Sequence, residues 1–193
     1  MKKIIVAITG ATGAPLAVKV LQLLNHFDFV EVHLIVSEWG KKTLISETNL
    51  SYKSVCDLAT EVHNINDQSA VISSGSFKAD GMIVVPCSMK TLASIRHGFA
   101  QDLISRAADV TIKEQRKLIL VPRETPLSQI HLENLTDLAK MGVTIIPPVP
   151  AFYNQPKTID DILTHLAIRI LDQLQLEHPY AKRWQGFSKN YNE

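Results

Sequence analysis

The opening of the chain constrains its fold more than any other stretch. Ile4–Thr9, IIVAIT, is a short β-branched run, and Gly10-Ala11-Thr12-Gly13 follows it at once. A helical stripe comes next, with Leu16, Val20, Leu23 and Leu24 on one face. Strand, glycine turn and helix open a nucleotide-binding βαβ unit. Glycine lets backbone N–H groups approach a phosphate, and the helix N-terminus adds a favourable dipole. Thr12 adds a hydroxyl donor. The spacing is not the dinucleotide GxGxxG, so it reads as a mononucleotide or flavin phosphate site. A tight strand–helix turn also wants glycine for its own sake, so the loop alone does not decide.

Four later apolar runs repeat the pattern. Glu31–Val36 stops at Ser37, and Gly81–Val85 stops at Pro86-Cys87-Ser88-Met89-Lys90-Thr91. Lys117–Val121 stops at Pro122-Arg123-Glu124-Thr125-Pro126, and Val143–Ile146 runs into a proline-stiffened loop presenting Tyr153. Such runs, separated by helical stripes such as Gln129–Met141, read as buried parallel strands. The chain therefore predicts an α/β fold, a Rossmann-like or flavodoxin-like three-layer sandwich around a parallel sheet. In such sheets ligands bind beyond the carboxyl ends of the strands.

Each strand-end cluster has a plainer role when taken singly. Ser37 and Ser88 suit helix N-caps, Arg123–Glu124 a surface ion pair, and Glu47 a solvated helix end. Arg106 and Lys113, seven residues apart, share a helix face with Asp109 between them. Cys87 reads as a packed strand-end thiol, since no histidine is placed near it in sequence as a base. Five polar or glycine-rich strand ends on one edge of one sheet nevertheless argue for a ligand site. Phosphate-type donors dominate it, with Arg106, Lys113, Arg123 and Arg169 as cations.

Elsewhere the pattern is less specific. Residues 50–70 read as a polar surface excursion in which Cys56 and His63 are structural. Thr158–Leu174 reads as an amphipathic helix burying Ile159, Ile162, Leu166, Ile170 and Leu174, with Arg169 on another face. At 193 residues, 46% of them hydrophobic, the chain suffices for one cored domain, taken as 1–175. A C-terminal arm, 176–193, is expected to pack on a neighbouring subunit. The net charge of +1 gives no general field for nucleic acid or an anionic membrane. Two distant cysteines without metal-type spacing point to reduced thiols and a cytoplasmic protein. No apolar run approaches membrane-spanning length, and Lys2-Lys3 leading straight into a strand does not read as a signal peptide.

The stretches GATGAPL, SGS, VVPCSMKTLASI, RAADVTIKE and LVPRETPLSQIHLENLTDLAKMGVTIIPPVPAFY, with the helix bearing Arg169, resemble the flavin prenyltransferase family. That family includes the small B subunits of phenolic acid decarboxylase systems, and the resemblance covers nearly the whole chain. It implies a homo-oligomer, commonly a dodecamer, that joins the dimethylallyl group of dimethylallyl phosphate to N5 and C6 of reduced FMN. The prenylated FMN then goes to a partner UbiD-type decarboxylase, and no metal is required. Residue by residue, Gly10, Ala11, Thr12, Ser37, Ser88, Met89, Lys90, Thr91 and Arg123 match FMN-holding positions, with Arg106 a further cation for the cofactor. Tyr153 and Arg169 match the allylic phosphate positions, and Lys113 a cation close to that phosphate. Glu124 matches a carboxylate assisting proton transfer, Glu47 a second carboxylate in the site, and Trp184 a C-terminal aromatic closing over it. Many members have serine where this chain has Thr12, which keeps the hydroxyl and adds a methyl group.

Two other readings stand beside this one. Flavin-dependent cysteine decarboxylases share the fold but rely on a histidine just after the first glycine-rich helix region, which is not found here. A non-catalytic FMN-binding accessory subunit would have no use for Lys113, Glu124, Tyr153 and Arg169 together.

Overall fold

A computed structural model describes residues 1–184 and 186. The chain alternates strands β1 (Lys2–Ile8), β2 (Val30–Val36), β3 (Glu61–His63), β4 (Gly81–Cys87), β5 (Lys117–Pro122) and β6 (Thr144–Ile145) with helices. The helices are α1 (Ala14–Leu24), α2 (Glu38–Glu47), α3 (Tyr52–Cys56), α4 (Met89–Arg96), α5 (Leu103–Lys113), α6 (Gln129–Lys140) and α7 (Ile159–Asp172). The strands form one sheet in the order β3-β2-β1-β4-β5-β6, all neighbours parallel. This is the three-layer sandwich that the apolar runs predict.

The period of two along each strand builds two cores. Ile4, Val6 and Ile8 of β1 face α1 and α7, packing with Leu21, Leu24 and Leu171. Ile5 and Ala7 face the opposite way and pack with Leu92, Leu103 and Ala107 of α4 and α5. A central strand covered on both faces must be apolar throughout, which is why β1 and β4 read as unbroken apolar runs. The sequence order reverses direction between β1 and β4. Such a switch point leaves a crevice beyond the strand ends, because the two following helices depart to opposite faces.

Three expectations change. Residues 50–70 contain α3 and the edge strand β3, where a surface excursion was expected. β3 pairs with β2 through His33↔Glu61 and His63↔Ile35, and both His33 and His63 are buried. Their Nδ1 and Nε2 atoms lie 3.0 Å apart, in rings only 16° from coplanar with centroids 5.3 Å apart. Those distances place the rings end to end along one N–H···N axis. The nitrogens share a hydrogen and do not open two lone pairs toward a common ion, although the Glu61 carboxylate lies 3.5 Å from His33 Nδ1. In α7, Leu166 and Ile170 are buried as expected, but Ile159, the first residue of the helix, is 76% exposed. The arm does not begin at 176: Leu176 and His178 are buried on their own chain, His178 against the rings of His26 and Phe27. Gln185 and residues 187–193 of the expected arm lie outside the described residues.

Candidate active site

A cleft of about 420 Å³ opens at the switch point, lined by Thr9, Gly10, Ser37, Trp39, Ser88, Lys90 and Thr91, with Asn66, Gln101 and Asp102 beyond. Thr9 joins the two central strands beneath it. Its hydroxyl donates to the Pro86 carbonyl at 2.7 Å and accepts from the Ser88 amide at 2.8 Å. Gly10 has no room for a side chain, since a Cβ there would collide with Cβ of Trp39.

Ser37 and Ser88 are the N-caps of α2 and α4, as their sequence positions predict. Ser37 Oγ accepts from Gly40 N at 2.9 Å, and Ser88 Oγ from Thr91 N at 3.3 Å. Ser88 and Thr91 share a further hydroxyl–hydroxyl bond of 3.0 Å, which uses one of their two hydrogens. The first-turn amides of Met89 and Lys90 meet no carboxylate among the described residues. This helix start carries the donors that an incoming phosphate would need.

The head of α1 is different. Gly13 sits at φ 115°, and the amides of Gly13 and Ala14 donate to Glu47 Oε2 at 2.8 and 2.9 Å. The Thr12 hydroxyl bonds to the same carboxylate. Burial pushes the Glu47 carboxyl upward, but these three hydrogen bonds and the Arg123 charge outweigh it and hold it below its ordinary value. Glu47 therefore stays ionised. Of the glycine-loop amides, that of Gly13 is engaged by this carboxylate, together with the Ala14 amide at the helix start, and further anion donors stand at Ser37 and the start of α4.

Arg123 and Glu124 follow β5 on the same edge, both exposed. They do not form the ion pair their adjacency suggested: Glu124 Oε1 accepts from the Thr125 amide at 3.0 Å, while the field of Arg123 falls on Glu47. Cys87 is fully buried, and burial pushes its thiol up to about 12, so it packs and does not attack.

A second cleft, of about 470 Å³, lies beyond β6 and brings together Tyr153, His165, Arg169, Asp172, Arg183 and Trp184. The Tyr153 hydroxyl is 2.9 Å from His165 Nε2, and its ring meets that of Trp184 edge-on at 5.5 Å. Arg169 and Arg183 converge on the largely buried Asp172 at 3.1 and 3.0 Å. Burial, and then the Arg169 charge, lower the His165 pKa.

Two expected residues stand apart. Lys113 ends α5 immediately before β5 begins, at the opposite edge of the sheet, where it pairs with Glu114 beside Gly75. Arg106, two turns earlier, pairs with Asp109 at 2.9 Å and donates to the Ser73 carbonyl. Trp39, Asp102 and His165 were not foreseen. A lone histidine on an amphipathic helix carries no signal until the Tyr153 loop folds back onto it.

A doubly wound sheet with a hydroxyl-lined crevice at its switch point defines a nucleotide-cofactor-binding α/β protein. The family model described as "Flavoprotein" matches residues 1–170. An Escherichia coli O157:H7 protein named as a probable UbiX-like flavin prenyltransferase is 60% identical over 190 residues, covering 98% of this chain and 96% of that one. The chain belongs to the UbiX-like flavin prenyltransferase family, as its motifs implied. The crystal structure of a dodecameric FMN-dependent UbiX-like decarboxylase from E. coli O157:H7 superposes with a TM-score of 0.94 at 61% identity, covering 95% of this chain and 100% of that one. AnUbiX (PadA1), crystallised with FMN and dimethylallyl pyrophosphate, superposes with a TM-score of 0.95 at 52% identity, covering 97% of this chain and 99% of that one.

Proposed function

We propose that the chain joins the dimethylallyl group of dimethylallyl phosphate to N5 and C6 of reduced FMN, releases phosphate, and passes prenylated FMN to a UbiD-type decarboxylase. The observation that carries this reading is the second cleft. Storing FMN calls for one phosphate site, whereas a prenyl phosphate calls for another, and Tyr153 with Arg169 supplies a second set of anion donors outside the lining of the hydroxyl-lined crevice. The pair of ligands in the AnUbiX complex supports the same assignment.

FMN fits the first cleft. Ser37, the Ser88–Thr91 pair and the amides of Met89 and Lys90 suit its phosphate monoester, and Gly10 lines the same cleft. Reduced flavin supplies the electron-rich nitrogen and carbon that take the prenyl group. Arg169 and the Tyr153 hydroxyl stabilise negative charge on the departing phosphate, and the rings of Tyr153 and Trp184 offer π surface to the allylic cation. Glu124, exposed beside Arg123, serves proton transfer during ring closure. Glu47 acts as a fixed anion that clamps the glycine loop.

Lys113 and Arg106 reach this site from a neighbouring copy, because their own chain holds Lys113 at the far edge of the sheet. Leu127, Ile130, Val149 and Phe152, exposed on the segments after β5 and β6, supply apolar surface for such an assembly. The dodecameric relative supports a dodecamer here. No helix among the described residues is long and apolar enough to cross a membrane, and we place the protein in the cytoplasm.

The test is anaerobic incubation with reduced FMN and dimethylallyl phosphate, then mass spectrometry of the extracted flavin. The expected product is heavier by one C5 unit. Unchanged FMN from folded, flavin-loaded protein, with dimethylallyl diphosphate failing as well, would favour an accessory flavin carrier.

A further inference from the structure

We propose that His165 is a positioning residue that turns the Tyr153 hydroxyl hydrogen toward the anion held beside Arg169. The proposal rests on the prenyltransferase reading for the identity of that anion. Tyr153 lies in an irregular loop between β6 and α7, with no regular backbone pairing to orient it. Trp184 and His165 both approach its ring edge-on, and His165 Nε2 lies 2.9 Å from its hydroxyl. His165 and Arg169 are four residues apart on α7, so one rigid helix surface places the ring nitrogen and the guanidinium together in the second cleft.

Hydrogen counting fixes the direction of the bond. His165 Nδ1 is enclosed and has no hydrogen-bond partner among the described residues. If the phenol donated to Nε2, the single hydrogen of the neutral ring would sit on Nδ1, buried and unmet. The phenol would then show the cleft only lone pairs, which repel an anion. If Nε2–H donates to the phenol oxygen, Nδ1 keeps only a bare lone pair, and a buried acceptor left unmet is the commoner and milder defect. The phenol hydrogen is then free for an anion beside Arg169, and the donated bond makes it a stronger donor. Burial and the Arg169 charge keep His165 neutral, as this arrangement requires.

The test compares His165→Phe, which keeps the ring volume without nitrogens, with His165→Gln, whose amide can still donate. For His165→Phe, KM for dimethylallyl phosphate is expected to rise about 10-fold, the scale of one hydrogen bond, with KM for reduced FMN unchanged. His165→Gln recovers most of the loss. In a Tyr153→Phe background, His165→Phe adds less than about a two-fold further effect, since both changes remove one interaction. Equal loss in the Phe and Gln variants, or effects that multiply with Tyr153→Phe, would overturn the proposal. Calorimetric titration of the flavin-loaded proteins with inorganic phosphate gives a reading independent of turnover. Weaker phosphate binding in His165→Phe but not in His165→Gln supports the positioning role even if no flavin is prenylated, an outcome that would sink only the prenyltransferase reading. Equal phosphate binding by all three proteins overturns it.

Discussion

Glu47 and Gly13, thirty-four residues apart, are joined where α2 ends and α1 begins: the Glu47 carboxylate accepts the Gly13 amide at 2.8 Å and the Ala14 amide at 2.9 Å. α1 has no side-chain N-cap from its own cap position, so a carboxylate from the next helix fills that place. Glu47→Ala should destabilise the protein by about 1 kcal/mol, the usual worth of a cap. Because the folded carboxyl lies below its ordinary value of 4.5, the contribution is full above that pH and is lost as pH falls through the folded value. Urea denaturation of wild type and variant should give curves that differ near neutrality and converge in acid.

Gly10→Ala should weaken FMN binding and cost about 1–3 kcal/mol, the range for an overpacked contact. The new methyl would collide with Cβ of Trp39, and Trp39 belongs to the first turn of α2. Trp39→Gly in the same chain removes the colliding atom, and flavin titration should show partial recovery. Equal FMN affinity in wild type and Gly10→Ala would show that the turn shifts without disturbing the cleft.

The His33–His63 dyad should make stability depend on pH. Burial, and then His63, hold the His33 pKa below 6.5, so the unfolded chain takes up protons more readily than the folded one. Stability is therefore complete above 6.5, declines as pH drops through that value and levels off below the folded pKa. His165 and His178 are lowered in the same direction and add to the slope. Between about pH 7.5 and 5.5 the urea midpoint of the wild type should fall, and His33→Phe/His63→Leu should flatten the decline. An identical slope in the double variant would assign the effect to the other histidines.

Lys113→Ala and Arg169→Ala should each abolish most prenyl transfer when expressed alone. Co-expressed, they should regain activity, because some sites would draw an intact Lys113 from one chain and an intact Arg169 from another. Mass spectrometry of the extracted flavin reads the result. No recovery in verified mixed oligomers would mean that each chain completes its own site.

Local patterns announced much of this arrangement. Ser37 and Ser88 were legible because a small hydroxyl residue after an apolar run has one common purpose, and both serve it. The strand ends were legible because strands buried on both faces read as continuous apolar runs that stop where the sheet does. β3 was not, since Glu61-Val62-His63 is three residues long and its pairing depends on β2 lying beside it. The Glu47 clamp was hidden for a related reason: a carboxylate at a helix end looks solvated until a second helix start is packed against it. The Tyr153–His165 bond depends on the course of a proline-rich loop with no periodicity to read. Ile159 fits the apolar stripe of α7 yet stands exposed at its first residue, where periodicity alone does not say whether a partner surface reaches.

The two outermost strands are also the shortest, three residues in β3 and two in β6. An arriving strand from another molecule would find only a few free amides and carbonyls on either side, too short a row to template a growing ladder. The sheet thus limits its own extension, and an apolar-rich β layer is guarded against fibrous aggregation. Copies that associate must do so through helices and loops, whose side chains can specify a closed assembly.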